Sequence, residues 1–313
     1  MLGRIIEKIF LFLHCISFYT YMANKSLFII LSFFLLGCGK HKTTYTSLIQ
    51  IDSLLKEELT DSALHEVMRI NPATLSENEL AYYQLLKVQS QYKSYIPINS
   101  DSEINLAINY YKGTNDIEKL ARAYYLKAGI LYDAKKGKIA MEYLKDAEDL
   151  LKETDEKALL HNILFMISTI NYDNHECNLS LEYAKKALQY SMQTRKELHL
   201  IYDYERMANA FSCIGQKDSC LYYMKKNLSL IERVNIPPKH KAGMISNYGM
   251  DLIEYDSEQA ERVLQKSISI YPLGSTYSAL ARIQLNKKDT LKAIDLLQKS
   301  IENSQEIRIK QAN

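Results

Sequence analysis

The feature of this sequence that most constrains its fold is a 40-residue repeat between Leu120 and Ile231. Three blocks in this stretch place small residues at matching positions. The matching columns are Ala128/Ser168/Ala208, Ala140/Ser180/Cys220 and Ala147/Ala187/Asn227. Columns of this kind indicate one supersecondary unit that is repeated and stacked, so that each unit buries its apolar surface against its neighbours.

The composition predicts that the repeated unit is helical. Only 10 Gly and 5 Pro occur in 313 residues, which suits long helices joined by short turns. Leu, Ala, Lys and Glu are abundant, and β-branched runs with alternating polarity are missing after the N-terminal region. The sequence therefore predicts an all-α protein that is large enough to bury an extensive core.

The repeats resemble the tetratricopeptide repeat (TPR), in which large and small apolar residues alternate at fixed positions of two helices. The residues that carry the resemblance are Tyr124, Ala128, Leu131, Ala140, Leu144 and Ala147 in the first block, and Tyr204, Ala208, Phe211, Cys220, Met224 and Asn227 in the third. Weaker units follow near Tyr248 and Tyr277. The resemblance implies a right-handed superhelical solenoid of about seven TPR-like helix pairs over residues 47–313.

Residues 1–37 are predicted to be a signal region. Met22 and Lys25 precede an apolar stretch, Leu27–Leu36, which ends in Leu35-Leu36-Gly37-Cys38. This layout resembles a bacterial lipoprotein signal, and with the repeats it resembles TPR lipoproteins of the Bacteroidota. The resemblance implies translation from Met22 and acylation of Cys38, followed by a polar tether over residues 38–46. An uncleaved membrane anchor is the alternative, although the apolar stretch is short for a span, which needs ~20 residues.

The charge distribution bears on location and partners. Lys40 and Lys42 follow Cys38 where some lipoproteins of this group carry the acidic cluster that sends them to the cell surface, so the periplasmic side is favoured. After Cys38 the basic and acidic residues balance, and no basic stripe remains. Nucleic acid is therefore not an expected partner.

The resemblance also implies that the first helix of each pair lines a concave groove. The groove candidates are Arg122, Tyr125, Tyr132, Asn162, Phe165, Tyr172 and Asn209. Tyr125/Phe165 and Tyr132/Tyr172 are predicted to form two aromatic rows, which would suit an extended peptide or a partner helix. Ordinary packing between repeats is the alternative, because the chain has 24 Tyr and most occupy core positions of the repeat.

The sequence contains no recognisable catalytic or cofactor-binding pattern. It lacks a glycine-rich phosphate loop, a His-Glu-x-x-His motif, a Gly-x-Ser-x-Gly motif and a paired-cysteine zinc pattern. The seven histidines are never three or four residues apart, so no helix face offers two imidazole ligands. These observations predict a protein that is not an enzyme and binds neither a cofactor nor a metal.

Three cysteines follow Cys38, at positions 177, 213 and 220. An oxidising compartment permits a disulfide. The sequence leaves two possibilities open, a bridge between Cys213 and Cys220 or a cysteine packed within the helix pair.

The expected function is a lipid-anchored scaffold on the periplasmic side of the cell envelope, which binds a protein or peptide in its concave groove. Two alternatives are a truncated TPR-type signalling regulator and a glycan-capturing outer-membrane lipoprotein. The absence of Trp, which serves as a sugar platform in glycan-capturing relatives, argues against the second alternative.

Overall fold

The computed structural model of the protein describes residues 44–194 and 196–312. These ranges contain 14 α-helices and one 3₁₀ turn, and no strand occurs among them. The predicted all-α class is therefore confirmed. In the same ranges, no helix combines the length and the apolar character needed to cross a membrane. The predicted signal region and Cys38 lie outside the described residues, and the first helix begins at Thr44, inside the predicted tether.

The chain divides into two compact units, one up to Pro97 and one from Ile98. The described helices of the first unit are α1 (Thr44–Lys56), α2 (Thr60–Met68) and α3 (Glu77–Lys93), with the 3₁₀ turn Pro72–Thr74 before α3. Helix α1 packs against both α2 and α3. A capping box starts α3: the Ser76 hydroxyl accepts from the Glu79 backbone N–H, and the Glu79 carboxylate accepts from the Ser76 N–H.

The second unit contains eleven helices within the described ranges. They are α4 (Ser102–Lys112), α5 (Ile117–Asp133), α6 (Gly137–Leu151), α7 (Lys157–Asp173), α8 (Cys177–Thr194), α9 (Glu197–Cys213), α10 (Lys217–Arg233), α11 (Pro238–Leu252), α12 (Ser257–Ile270), α13 (Gly274–Asn286) and α14 (Thr290–Ala312). From α5 onward the helices form five consecutive pairs. First helices of neighbouring pairs are also in contact, namely α5 with α7, α7 with α9, and α11 with α13. The predicted solenoid of stacked helix pairs is confirmed.

Long helices explain the 40-residue period. Helices α5, α7 and α9 each have 17 residues and begin at Ile117, Lys157 and Glu197, which keeps the period of the sequence. The small residues lie where the two helices of a pair approach each other. In the second pair, for example, the Ser168 hydroxyl donates to the Ser180 carbonyl at 2.8 Å, and both residues are fully buried. Small side chains at these positions let the two backbones approach closely.

A left-handed residue makes the tight turn within each of these pairs. Lys135, His175 and Gly215 follow α5, α7 and α9 at the same spacing, and their φ angles are 61°, 60° and 77°. In the first turn, the Lys136 N–H donates to the Leu131 carbonyl at 2.8 Å, and equivalent bonds recur in the next two pairs. This is the Schellman type of helix ending, which usually places Gly at the left-handed position.

Candidate functional site

The first helices α5, α7 and α9 carry all seven groove residues predicted from the sequence. Tyr125, Asn162 and Asn209 are partly exposed, and Asn162 Oδ1 lies 3.1 Å from His161 Nδ1. Arg122 behaves differently, because its side chain is 6% exposed and its guanidinium pairs with Glu118 on the same helix. The guanidinium of Arg122 therefore has an acidic partner on its own helix.

Arg206 organises the centre of this surface. Its guanidinium carbon lies 5.4 Å from the ring centroid of Phe165 and 5.3 Å from that of Tyr172, within the range of cation–π contacts. Tyr202, one turn earlier on α9, meets Phe165 edge-on with the ring centroids 6.4 Å apart. We call the surface of α5, α7 and α9 around Tyr132, Phe165, Tyr172, Tyr202 and Arg206 the groove face.

Arg206 is not among the seven predicted groove residues, although the sequence contains a signal for it. Two repeats earlier the same position is Leu126, and one repeat earlier it is Met166, and both are buried apolar side chains. A charged residue in an otherwise apolar column is the exception that marks Arg206. It also lies one helical turn before Asn209, which the sequence did select.

Tyr132, from one of the two predicted aromatic rows, contacts the next unit through its hydroxyl group. The Tyr132 hydroxyl on α5 donates a hydrogen bond to the Asp173 carboxylate on α7. Burial, and then this carboxylate, raises the pKa of Tyr132 to about 12. Burial also raises the pKa of Tyr172, and Asp251 adds to the effect, while the positive charge of Arg206 acts in the opposite direction.

Two further carboxylates lie at the α11 side of this surface. Glu205 Oε1 on α9 accepts a hydrogen bond from Asn247 Nδ2 on α11 at 3.0 Å. Burial raises the pKa of Asp251, also on α11, to about 6, and the negative charge of Glu205 contributes to the shift. The groove face therefore combines one guanidinium with several acidic groups.

A cavity of about 590 Å³ opens at the C-terminal ends of α5, α7 and α9. This volume falls within the range of ordinary ligand pockets, roughly 300–1,000 Å³. The cavity is lined by Tyr132, Lys135, Tyr172, Asp173, His175 and Cys213, among others. Because Tyr132 and Tyr172 belong to both, the cavity continues the groove face.

Comparisons with known proteins identify the architecture. No family model and no curated protein matches the chain. Among solved structures, a STAND signal transduction ATPase with a tetratricopeptide repeat sensor from Pyrococcus horikoshii is similar with a TM-score of 0.66 and 12% identity, over 87% of this chain and 44% of its own. NprR in complex with its cognate peptide NprX is similar with a TM-score of 0.62 and 17% identity, over 83% of this chain and 78% of its own. A Rap protein complexed with Competence and Sporulation Factor is similar with a TM-score of 0.61 and 14% identity, over 84% of this chain and 77% of its own.

The chain has a TPR-type fold. At these identities the likeness shows the fold alone, since one fold serves many functions.

A disulfide joins two successive TPR-type units next to the cavity. Cys177, the first residue of α8, is bonded to Cys213, the last residue of α9, and their Cα atoms are 5.6 Å apart. Cys220 is a free, buried thiol. The Cys213–Cys220 bridge considered from the sequence is therefore wrong, because Cys220 occupies the small-residue column between α9 and α10 while Cys213 faces the preceding unit.

A buried polar network underlies the groove face. Asp203 on α9 accepts hydrogen bonds from His161 Nε2 on α7, at 3.0 Å, and from the Ser191 hydroxyl on α8. All three residues are at most 4% exposed. Because Asp203 stands between the other two, the Ser191 hydroxyl is hydrogen-bonded to the carboxylate and not to the imidazole of His161, and these three residues do not form the arrangement that activates a nucleophilic serine. Its effect is to tie α7, α8 and α9 together.

Proposed function

We propose that this protein is a binding module that takes a peptide, or a peptide segment of a partner protein, on its groove face. The observation that carries the proposal is Arg206 held between the rings of Phe165 and Tyr172 beside the cavity. Rigid aromatic rings and a guanidinium are the side chains that contribute most to recognition of protein segments. The TPR-type fold supports this reading, because the similar NprR structure contains a cognate peptide.

Selection from a phage-displayed library of random dodecapeptides tests this proposal. The full chain, purified in detergent, is the target, and the affinity of an enriched peptide is then measured by fluorescence anisotropy. Tyr132→Ala combined with Tyr172→Ala should weaken binding about tenfold or more, because both rings belong to the groove face and the cavity. Tyr222→Ala is the matched control, since this ring is 54% exposed on the second helix α10.

Two results would contradict the groove assignment. One is that the library yields no enriched peptide on the wild-type chain. The other is that the Tyr132/Tyr172 variant, with an unchanged helical circular dichroism spectrum, binds the enriched peptide as tightly as the wild type.

We propose further that Cys38 anchors the module to a membrane of the cell envelope, with the groove face on the periplasmic side. The sequence around Cys38 supports the anchor, and the Cys177–Cys213 disulfide supports an oxidising compartment. Several acyl chains on one residue hold a protein stably at a bilayer. Labelling of cells with an alkyne-tagged fatty acid should mark the wild type and the Cys220→Ala control but not Cys38→Ala. Equal labelling of all three would exclude Cys38 as the acylated residue.

A further inference from the structure

Arg206 has a guanidinium group whose donors lack an acceptor in the part of the chain that the structure describes. Its Nε is buried and makes no hydrogen bond. No hydrogen bond or ion pair joins its terminal nitrogens to another described residue either. The faces of Phe165 and Tyr172 hold the group in place. A buried guanidinium Nε–H without a protein acceptor lowers stability, so the position of Arg206 calls for an explanation other than folding.

The nearby carboxylates influence Arg206 through their charge, but none of those described forms a hydrogen bond or ion pair with it. The negative charges of Glu205 and Asp173 both act on Arg206, and they oppose the lowering of its pKa by burial. Each already accepts a hydrogen bond from another residue, Glu205 from Asn247 and Asp173 from Tyr132. Arg206 is therefore balanced electrostatically at a distance, while the N–H donors on its two terminal nitrogens have no acceptor among the described residues.

These charges decide which acceptor fits. An anionic group beside Arg206 would be repelled by Glu205, Asp173 and the partly desolvated Asp251, and repulsion is strong where water is displaced. A main-chain carbonyl oxygen is a good acceptor that carries no net charge. An extended peptide offers such oxygens in a row, and a planar guanidinium can donate to two acceptors at once.

We propose that Arg206 donates hydrogen bonds to main-chain carbonyl oxygens of an extended peptide, and that the surrounding carboxylates exclude Asp and Glu from the neighbouring positions of that peptide. This inference rests on the proposed function, because it assumes that the peptide lies on the groove face. It adds the chemistry of the ligand: a neutral or basic segment that is recognised through its backbone.

The peptide selection described above gives the first test. Peptides enriched on the wild-type chain should contain fewer Asp and Glu residues than the unselected library. Enrichment of acidic peptides would overturn the exclusion. Absence of any enriched peptide would overturn the proposed function and this inference together.

Backbone substitution in one synthetic, enriched peptide gives the second test. Each amide is replaced in turn by an ester, which weakens the carbonyl acceptor of the replaced bond and also removes one N–H donor. At one or two positions the ester should weaken binding of the peptide to the wild type about tenfold. The same ester should have little effect on binding to the Arg206→Met variant. Arg206→Lys should resemble Arg206→Met, since an ammonium group does not present a planar pair of donors.

The combined effect of an ester in the peptide and a substitution of Arg206 distinguishes hydrogen bonding by Arg206 from a purely structural role. If Arg206 only supports the rings, Arg206→Met weakens the all-amide peptide and each ester peptide by the same factor, and the inference is wrong although peptide binding stands. The melting temperature of Arg206→Met should equal or exceed that of the wild type. If that variant does not fold, Arg206→Lys provides the same comparison with the positive charge kept.

Discussion

Tyr132 and Asp173 lie 41 residues apart on the first helices of successive units, and the Tyr132 hydroxyl donates a hydrogen bond to the Asp173 carboxylate. Burial and this carboxylate raise the pKa of Tyr132 from 10 to about 12. The contact is therefore a link between α5 and α7 that depends on the hydroxyl keeping its proton. It also sets one wall of the cavity.

This link should give a recognisable pH dependence. As the pH rises from 10 toward 12, the unfolded chain releases the Tyr132 proton before the folded chain does. The stability contributed by the contact is therefore fully present below pH 10 and lost between pH 10 and 12. Urea unfolding should show that wild type and Tyr132→Phe differ most below pH 10 and converge above it. Tyr95→Phe, at an 84% exposed ring, should show no such convergence.

Lys135 and Gly215 occupy equivalent left-handed turn positions, so placing Gly at the first and Ala at the second should change stability in opposite directions. Lys135→Gly should raise the free energy of unfolding by roughly 0.5–1 kcal/mol, because Gly has no Cβ strain at φ 61°. Gly215→Ala should lower it by about 1 kcal/mol, and its new Cβ would meet no atom within 4 Å, so strain is the cause.

Lys138→Gly is the control for both variants. Lys138 is exposed and lies within helix α6, where Gly lowers stability, so this change should reduce the free energy of unfolding. Thermal unfolding of the three variants measures the differences. Stabilisation by Lys138→Gly as large as by Lys135→Gly would refute the explanation from backbone strain.

The architecture could be predicted from the sequence because packing repeats with the chain. Ala128, Ser168 and Ala208 recur because each unit meets its neighbour in the same way, and the structure buries all three. Residues that break the repeat could not be predicted by the same reasoning. Arg206 stands where other units have an apolar residue, and a helical pattern alone assigns such a residue to solvent.

Two further features were missed for a similar reason. Asp203 is fully buried, and one repeat earlier the same position holds the fully buried Ile163. Nothing local to Asp203 shows that His161 and Ser191 satisfy it, since their elements meet only in the stacked solenoid. Likewise, Cys177 and Cys213 are brought together because the start of α8 lies beside the end of α9. Such contacts depend on the particular side chains that two successive units bring together, so the repeat pattern does not predict them.

The disulfide predicts a large loss of stability on its removal. It closes a loop with a sequence separation of 36, and replacing both cysteines (Cys177→Ser with Cys213→Ser) should cost about 4 kcal/mol. Cys220→Ala, which removes the free thiol, is the control and should cost less. Urea unfolding gives the values, and peptide mapping without reduction gives the pairing. A map that links Cys213 to Cys220 would contradict the structure.

The Asp203 network predicts a graded series of effects. Asp203→Ala leaves two buried donors, on His161 and Ser191, without their acceptor, and should lower the free energy of unfolding by about 3–5 kcal/mol. Ser191→Ala removes one donor and leaves His161 paired, so about 1–2 kcal/mol is expected. Asp203→Asn keeps one acceptor oxygen and should fall between the two.

Because Asp203 holds α7, α8 and α9 together beneath Phe165 and Arg206, the most destabilised variant should also bind the enriched peptide less tightly at temperatures where it remains folded. Equal stability of all three variants and the wild type would show that this network does not hold the three helices together.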